Sequence, residues 1–187
     1  TLDSGGTVVY LNTEHITQET LLEAGIDPNN KNFYLLHAEK YGDEALNIIN
    51  KLLYDPKTYK NREVLDLILI DSITNLVPKA EVDSLEAKGI EGNSQLGRLA
   101  AMLTKWSTDV NGRNILGYGP KACACIAVSQ MRANVGDQYR PTKQTGGNAI
   151  SHNAKAIVKF YVSKKTKNKD GIPLGHDVNF VVEKQAS

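Results

Sequence analysis

Acidic and amide side chains follow three apolar segments of the sequence. The three side chains are Glu14, Asp71 and Gln130. A glutamate can polarise or position a water for attack on phosphorus. An aspartate at the end of a strand can hold Mg²⁺, directly or through water, and a neutral glutamine can hydrogen-bond a terminal phosphate. The chemistry that these residue types could perform together is nucleotide hydrolysis.

Each of these side chains also has an ordinary structural explanation. Leu67-Ile-Leu-Ile-Asp71-Ser72 has the form of a Walker B segment, but apolar strands often end in an aspartate that only caps a turn. A single glutamate after a strand is usually structural, and Gln130 alone indicates little. The hydrolysis hypothesis therefore depends on whether the fold brings the three positions together.

The elements that must position these residues alternate between strand and helix along the first part of the chain. Such alternation predicts an α/β fold with a twisted, mainly parallel sheet covered by helices, and ligands bind beyond the carboxyl ends of its strands. The apolar run Leu67–Ile70 lacks alternation, which predicts a strand buried on both faces. The predicted strands are 7–11, 33–36, 65–70, 123–128, 156–162 and 178–182, and the predicted helices are 18–24, 43–53 and 94–110.

The last two predicted strands differ from the others because a polar, Gly-containing connection over 164–171 joins them. This pattern predicts an antiparallel hairpin at the end of the chain. Lys155 to Lys169 contains six lysines and no acid, which fits a solvated hairpin edge, with a phosphate-facing surface as the alternative. The connections 78–93 and 130–145 are long, and long loops are usually functional or disordered.

Composition places the chain among ordinary globular domains. The 187 residues predict one domain over 1–187, and contents of 41% hydrophobic and 23% charged residues are unexceptional. No run reaches the length of a membrane span, so no membrane partner is expected. Cys123 and Cys125 alternate on one strand and are interpreted as buried apolar residues rather than a disulfide or metal pair. An intracellular protein, in the cytoplasm, is expected.

A phosphate-binding loop of the Gly-x-x-x-x-Gly-Lys-Ser/Thr type does not occur in the sequence. The nearest spacing, Gly112 to Gly117, is followed by Tyr118 where lysine is required. Gly5-Gly6 precedes the first strand, as expected of a chain that starts after the helix of such a loop. Residues 1–187 alone are therefore expected neither to bind nor to hydrolyse ATP.

Five motifs occur in order over essentially the whole chain. They are Tyr10-Leu-Asn-Thr-Glu14-His15, Ile68-Leu-Ile-Asp71-Ser72, Val77-Pro-Lys-Ala-Glu81, Val128-Ser-Gln130-Met-Arg132 and Thr145-Gly-Gly-Asn-Ala149. Together these motifs resemble the core of the RecA-type DNA recombinases. The ending Val182-Glu-Lys184 resembles phage recombinases of the UvsX type more than bacterial RecA, which favours a phage or environmental homologue.

The resemblance implies a RecA-like P-loop NTPase core that lacks its N-terminal segment and Walker A loop. It implies ATP and Mg²⁺ as cofactors, with Glu14 activating the hydrolytic water, Asp71 holding the metal and Ser72 binding the cofactor beside it. It implies that Gln130 senses the terminal phosphate and couples it to a DNA-binding loop. It places Lys184 where the family reaches the nucleotide of the neighbouring subunit.

The resemblance also implies two DNA-binding loops. Glu81 to about Gly97 match the first loop, with Leu96 at its apolar contact position. Arg132 through Asn148 match the second, in which Val135 is the apolar wedge between bases. The basic residues of the second loop are Arg132, Arg140 and Lys143, and its phosphate-binding amides belong to Gly146, Gly147 and Asn148.

Departures from the family pattern accompany these matches. Ser151 and His152 replace the Lys-Phe pair of a subunit contact, and Gln18 and Leu21 replace residues that lie near the adenine in bacterial RecA. The implied function is homologous recombination and repair, with a filament on single-stranded DNA and exchange of strands with double-stranded DNA. The alternatives are another RecA-fold ATPase, such as a hexameric helicase, and a non-catalytic remnant that only packs into filaments.

Overall fold

The computed structural model describes residues 1–37, 41–55, 57–58, 64–88, 95–112, 122–133, 142–144 and 148–185 of the chain. Two compact units are present, Thr1–Ile150 and Ser151–Ser187. The first contains a parallel sheet with helices, and the second contains a hairpin. The expectation of one domain over the whole chain stays a prediction.

Four parallel strands form the sheet of the first unit. They are β1 (Val8–Asn12), β2 (Phe33–His37), β3 (Leu67–Asp71) and β4 (Ala124–Ala127), in the spatial order β2-β1-β3-β4. Asn12 pairs with Asp71 in the register, so β1 and β3 end at the same level. The prediction of a mainly parallel α/β sheet is confirmed.

Helices connect these strands, and the first helix begins and ends with the signals that the sequence predicts. Thr17 Oγ1 accepts a hydrogen bond of 3.3 Å from Thr20 N at the start of the first helix, and Gly25 adopts φ +79° just after its end. Both are standard helix-end signals. The helices are α1 (Gln18–Glu23), α2 (Gly42–Leu53), α3 (Lys79–Lys88), α4 (Gln95–Gly112) and α5 (Asn148–Asn153).

Two apolar clusters lie on opposite faces of β1, because successive side chains of a strand point in opposite directions. Val9 and Leu11 pack in the larger cluster with residues of α2 and α4, and Val8 and Tyr10 pack in the smaller one. Trp106 Nε1 of α4 donates a hydrogen bond of 2.9 Å to Asn50 Oδ1 of α2. These contacts pack α2 and α4 together over the face of β1 that carries Val9 and Leu11.

Three details of the sequence prediction are wrong. The connection 78–93 contains helix α3, and 130–145 contains the antiparallel strands β5 (Met131–Ala133) and β6 (Thr142–Gln144). The hairpin connection proposed over 164–171 is also shorter, because the strand before it continues to Lys167. All three segments are polar or weakly amphipathic, so the apolar pattern that marks buried elements is missing from them.

Burial of β3 is less complete than its composition predicts. Ile68 and Ile70 are buried, whereas Leu67 and Leu69 are half-buried against the smaller cluster. The two cysteines are free thiols; Cys123 is buried and Cys125 packs against the larger cluster, as expected of apolar residues. Within the described residues, no helix has the length and apolar character needed to cross a membrane.

The second unit is a two-stranded antiparallel hairpin that α5 precedes. Strands β7 (Ala156–Lys167) and β8 (Pro173–Gln185) pair along their length, which confirms the predicted hairpin. Asn168 Oδ1 accepts hydrogen bonds from Asp170 N and Ile172 N, and Gly171 has φ +79° in the turn. Phe160 and Phe180 face each other across the strands with ring centroids 6.2 Å apart.

Candidate functional site

Glu14 lies at the carboxyl edge of the sheet, where three donors converge on one of its oxygens. Glu14 Oε1 accepts hydrogen bonds of 2.8 Å from Ser72 Oγ, 2.8 Å from Asn75 Nδ2 and 3.2 Å from Gln130 Nε2. The donors come from the segments that follow β3 and β4. The structure therefore brings together the residues that follow the three strands, as the fold prediction requires.

The loop that carries Glu14 is shaped by a buried amide. Asn12 Oδ1 accepts from Glu14 N at 3.2 Å and from Ile16 N at 3.1 Å, while Asn12 Nδ2 donates to Ile16 O at 2.9 Å. Between them, His15 adopts φ +58°, a left-handed conformation in which His, Asn and Asp are several-fold enriched. Asn12 thus fixes the backbone on both sides of Glu14.

Thr13 joins the ends of β1 and β3. Its backbone N donates to Asp71 O at 2.7 Å, and its hydroxyl accepts from Ser72 N at 2.6 Å and donates to Ser72 O at 2.9 Å. The Asp71–Ser72 peptide bond is cis. Ser72 is completely buried, and its hydroxyl reaches Glu14, so the predicted cofactor residue contacts the predicted catalytic residue directly.

Asp71 is paired with a buried phenol. Tyr10 OH donates a hydrogen bond of 3.2 Å to Asp71 Oδ2. Burial, and then the charge and hydrogen bond of Asp71, raise the pKa of Tyr10 to about 12, so the phenol stays a donor at neutral pH. A carboxylate at this strand end fits Mg²⁺, which proteins commonly bind through one or two carboxylates together with substrate phosphates and water.

Gln130 is anchored through its backbone. Its N–H donates a hydrogen bond of 2.9 Å to the hydroxyl of Thr74, which is buried in a 3₁₀ turn over Ile73–Asn75. The side chain of Gln130 reaches Glu14, and β5 begins at the next residue. One residue thus connects the hydrolytic candidate to the start of the predicted second DNA-binding loop.

An open cleft of about 460 Å³ lies beside Glu14. Its wall includes Asn75 and Glu81, and the carboxylate of Glu81 is buried. Arg98 Nη1 donates to Glu81 Oε2 at 3.0 Å, and Arg98 Nη2 donates to Ser84 Oγ at 3.0 Å. This ion pair ties α3 to α4, and it joins the first residue of the predicted first DNA-binding loop to the residue that follows the loop.

The structure places only part of the predicted DNA-binding set. Arg132 on β5 and Lys143 on β6 stand directly opposite each other in the ladder, Leu96 is the second residue of α4, and Asn148 is the first residue of α5. The other four predicted contacts lie outside the described residues: Val135, Arg140, Gly146 and Gly147.

Lys184 lies within the hairpin unit and binds the end of α5. Its Nζ donates hydrogen bonds of 2.9 Å to the carbonyl oxygens of Ser151 and His152. A lysine at this position satisfies carbonyl groups that the last turn of a helix leaves unpaired. The predicted contact with a neighbouring subunit's nucleotide stays a prediction.

Sequence reasoning missed four residues of the site: Tyr10, Thr13, Thr74 and Asn75. Only Asn75 had a usable signal, because it stands three residues after Ser72 and positions i and i+3 eclipse in a 3₁₀ turn. The others belong to segments that read simply as strand ends. Their roles depend on contacts between segments distant in sequence.

A family model described as the RecA N-terminal domain matches residues 1–186. The chain belongs to the RecA family. Protein RecA of Fusobacterium nucleatum is 32% identical over 183 residues, which cover 96% of this RecA-family chain and 43% of that protein. Protein RecA of Cytophaga hutchinsonii is 30% identical over 162 residues, which cover 86% of the chain and 38% of that protein. The chain thus spans less than half the length of these relatives.

A solved structure supports the fold of this RecA-family chain. The KaiC-like protein of the hyperthermophilic archaeon Pyrococcus horikoshii OT3 superposes with a TM-score of 0.52 at 12% sequence identity. The match covers 98% of the chain and 67% of the archaeal protein. At this identity the similarity concerns the fold alone.

Proposed function

We propose that the protein containing this chain is an ATP-dependent recombination and repair protein that forms filaments on single-stranded DNA and promotes strand exchange. The observation that carries the proposal is the hydrogen bond from Gln130 Nε2 to Glu14 Oε1. It connects the candidate hydrolytic carboxylate to the residue from which the candidate DNA-binding strand begins. Membership of the RecA family supports the same function.

Glu14 is the proposed water-activating residue. Within the described residues, all three side-chain donors to its carboxylate bind Oε1, which leaves Oε2 for a water. A carboxylate held through one oxygen can orient that water and accept its proton through the other. Ser72 acts in this proposal through Glu14, because its buried hydroxyl already donates to the carboxylate.

Asp71 is the proposed Mg²⁺ ligand, directly or through water. Bound ATP and Mg²⁺ would supply the phosphate under attack and the charge that stabilises its transfer. The phosphate cradle and its lysine do not occur among the 187 residues of the sequence. Nucleotide binding is therefore proposed for the protein as its gene encodes it.

DNA binding is proposed for the segment that follows Gln130. Its residues 130–149 carry three basic side chains and one acid, a net charge of +2. Arg132 and Lys143 are directly opposed on β5 and β6, and like charges opposed in this way are unfavourable unless an anion lies between them. The sugar-phosphate backbone of DNA supplies such an anion.

The test is a reconstitution with the gene-encoded protein, ATP and Mg²⁺. The proposal predicts that single-stranded DNA stimulates ATP hydrolysis and that the protein then exchanges strands between homologous molecules. A hexameric helicase would instead separate a duplex without requiring homology. Filaments that form on DNA without any ATP turnover would identify the non-catalytic alternative and contradict the proposal.

A further inference from the structure

Asn75 shares the carboxylate oxygen of Glu14 with Gln130, and it holds that oxygen more closely. The Asn75 Nδ2 to Glu14 Oε1 distance is 2.8 Å, against 3.2 Å from Gln130 Nε2. Both distances lie in the hydrogen-bonding range, and the shorter one is close to the optimum for a charged acceptor. Two amide side chains from different segments therefore bind one oxygen.

The frame that carries Asn75 is fixed. It is the last residue of the 3₁₀ turn Ile73–Asn75, whose first two residues are buried. Ile73 N donates to Val128 O at 2.9 Å, which ties the turn to the end of β4. The turn also holds Gln130, because Thr74 Oγ1 accepts from the Gln130 backbone N–H. Consecutive residues of one turn thus hold the two functional candidates.

The side-chain amides of Gln130 and Asn75 have different roles in this arrangement. The Gln130 backbone N–H is held by Thr74, and its exposed side chain makes the longest of the three bonds to Glu14. Exchange of that side-chain bond would therefore leave the backbone of residue 130 in place. When that side chain leaves, Ser72 and Asn75 still hold Oε1 at 2.8 Å each. The carboxylate then keeps its orientation toward a water at Oε2.

We propose that Asn75 is a positioning residue that keeps the Glu14 carboxylate oriented for hydrolysis while Gln130 changes partner, with Thr74 as the pivot of Gln130. The inference rests on the proposed role of Glu14 in ATP hydrolysis and adds a function for the turn that follows the Asp71-Ser72 segment. Loss of the Asn75 donor leaves Glu14 with Ser72 alone once Gln130 has moved.

The turnover experiment compares the gene-encoded protein with its Asn75→Ala and Asn75→Asp variants, in saturating single-stranded DNA. Asn75→Ala is expected to lower kcat for ATP about tenfold with KM unchanged, since a misoriented catalytic group slows chemistry more than binding. Asn75→Asp keeps the shape, removes the donor and adds a repelling charge, so its loss is at least as large. Asn47→Ala, an exposed asparagine of α2, is the matched control and keeps the parent's kcat.

A second readout uses no nucleotide. Urea unfolding of the parent, Glu14→Ala, Asn75→Ala and the double variant forms a double-mutant cycle. If the two side chains are in direct contact, the change in the unfolding constant of the double variant should differ roughly threefold from the product of the changes in the two single variants. An Asn75→Ala enzyme within twofold of the parent's kcat, or one whose KM rises as much as its kcat falls, overturns the inference. A double variant whose unfolding constant changes by the product of the two single changes also overturns the inference.

Glu14→Gln in the same turnover assay distinguishes this failure from failure of the proposed function. Full turnover by Glu14→Gln removes the catalytic role of Glu14 itself, and with it the role of Asn75. A dead Glu14→Gln enzyme beside an unimpaired Asn75→Ala enzyme contradicts the positioning role alone.

Discussion

Gln130 Nε2 donates a hydrogen bond of 3.2 Å to Glu14 Oε1 although the two residues are 116 positions apart in the sequence. The parallel sheet makes the contact possible, because the segments after β1, β3 and β4 emerge at one edge. The Gln130 amide can exchange the carboxylate for a phosphate oxygen, since both are acceptors for the same N–H. Gln130 is therefore the element expected to link nucleotide state to the DNA-binding segment.

Gln130→Ala is expected to uncouple nucleotide from DNA in the gene-encoded protein. Basal binding of each ligand should remain, because the backbone of residue 130 keeps its bond to Thr74. The tightening of DNA binding by a non-hydrolysable nucleotide should disappear. Fluorescence anisotropy with and without that nucleotide measures the ratio of affinities, and Asn47→Ala serves as the control. A ratio equal to the parent's would exclude coupling through Gln130.

The hydrogen bond between Tyr10 and Asp71 at the strand ends can be tested through the pKa of Tyr10. The folded chain raises the pKa of Tyr10 from 10.0 to about 12, first through burial and then through Asp71, so it favours the neutral phenol. This contribution to stability is complete below pH 10.0 and is lost as the pH rises through about 12.

Asp71→Asn is expected to lower the pKa of Tyr10 while leaving it above the ordinary value, because the charge is removed and the burial remains. A titration of tyrosinate absorbance follows the ionisation, and Tyr10→Phe identifies the step that belongs to this residue. An unchanged Tyr10 step in Asp71→Asn would mean that the carboxylate does not bind the phenol in solution.

Arg132→Ala together with Lys143→Ala is expected to weaken single-stranded DNA binding by the gene-encoded protein. The slope of log affinity against log salt should become shallower by up to about two units, scaled down for single strands, if both groups contact phosphates. The loss should be nearly independent of base sequence, because phosphate contacts carry no base information. Anisotropy on several oligonucleotides at graded salt measures both effects.

The matched control for that pair is Lys31→Ala together with Lys51→Ala, which removes two exposed positive charges elsewhere on the first unit. It should leave the salt slope within error of the parent's. If Arg132→Ala with Lys143→Ala behaves like this control, neither β5 nor β6 contacts the DNA backbone through these residues.

Glu14, Asp71 and Gln130 could be placed from sequence because each follows an apolar run, and parallel strands bring their carboxyl ends to one edge. Thr74 could not be placed, because its partner Gln130 follows a different strand and a short 3₁₀ turn has almost no sequence signature. Asn75 offered only its spacing of three residues from Ser72. Helix α3 was missed because its apolar residues form no clear stripe. It begins directly after Pro78, whose carbonyl accepts from Glu81 N at 2.9 Å. The internal contact of Lys184 with α5 depends on tertiary packing that no local pattern reports.

The most direct measurement is ATP turnover by Glu14→Gln in the gene-encoded protein, with single-stranded DNA and Mg²⁺ present. The variant keeps the size and one oxygen of the side chain, so its contacts with Ser72 and Asn75 are preserved, but an amide cannot accept the proton of a water. Nucleotide affinity should equal the parent's, while turnover falls about a hundredfold or more. Turnover within twofold of the parent's, at equal affinity, would show that Glu14 is structural and that hydrolysis at this strand edge has another origin.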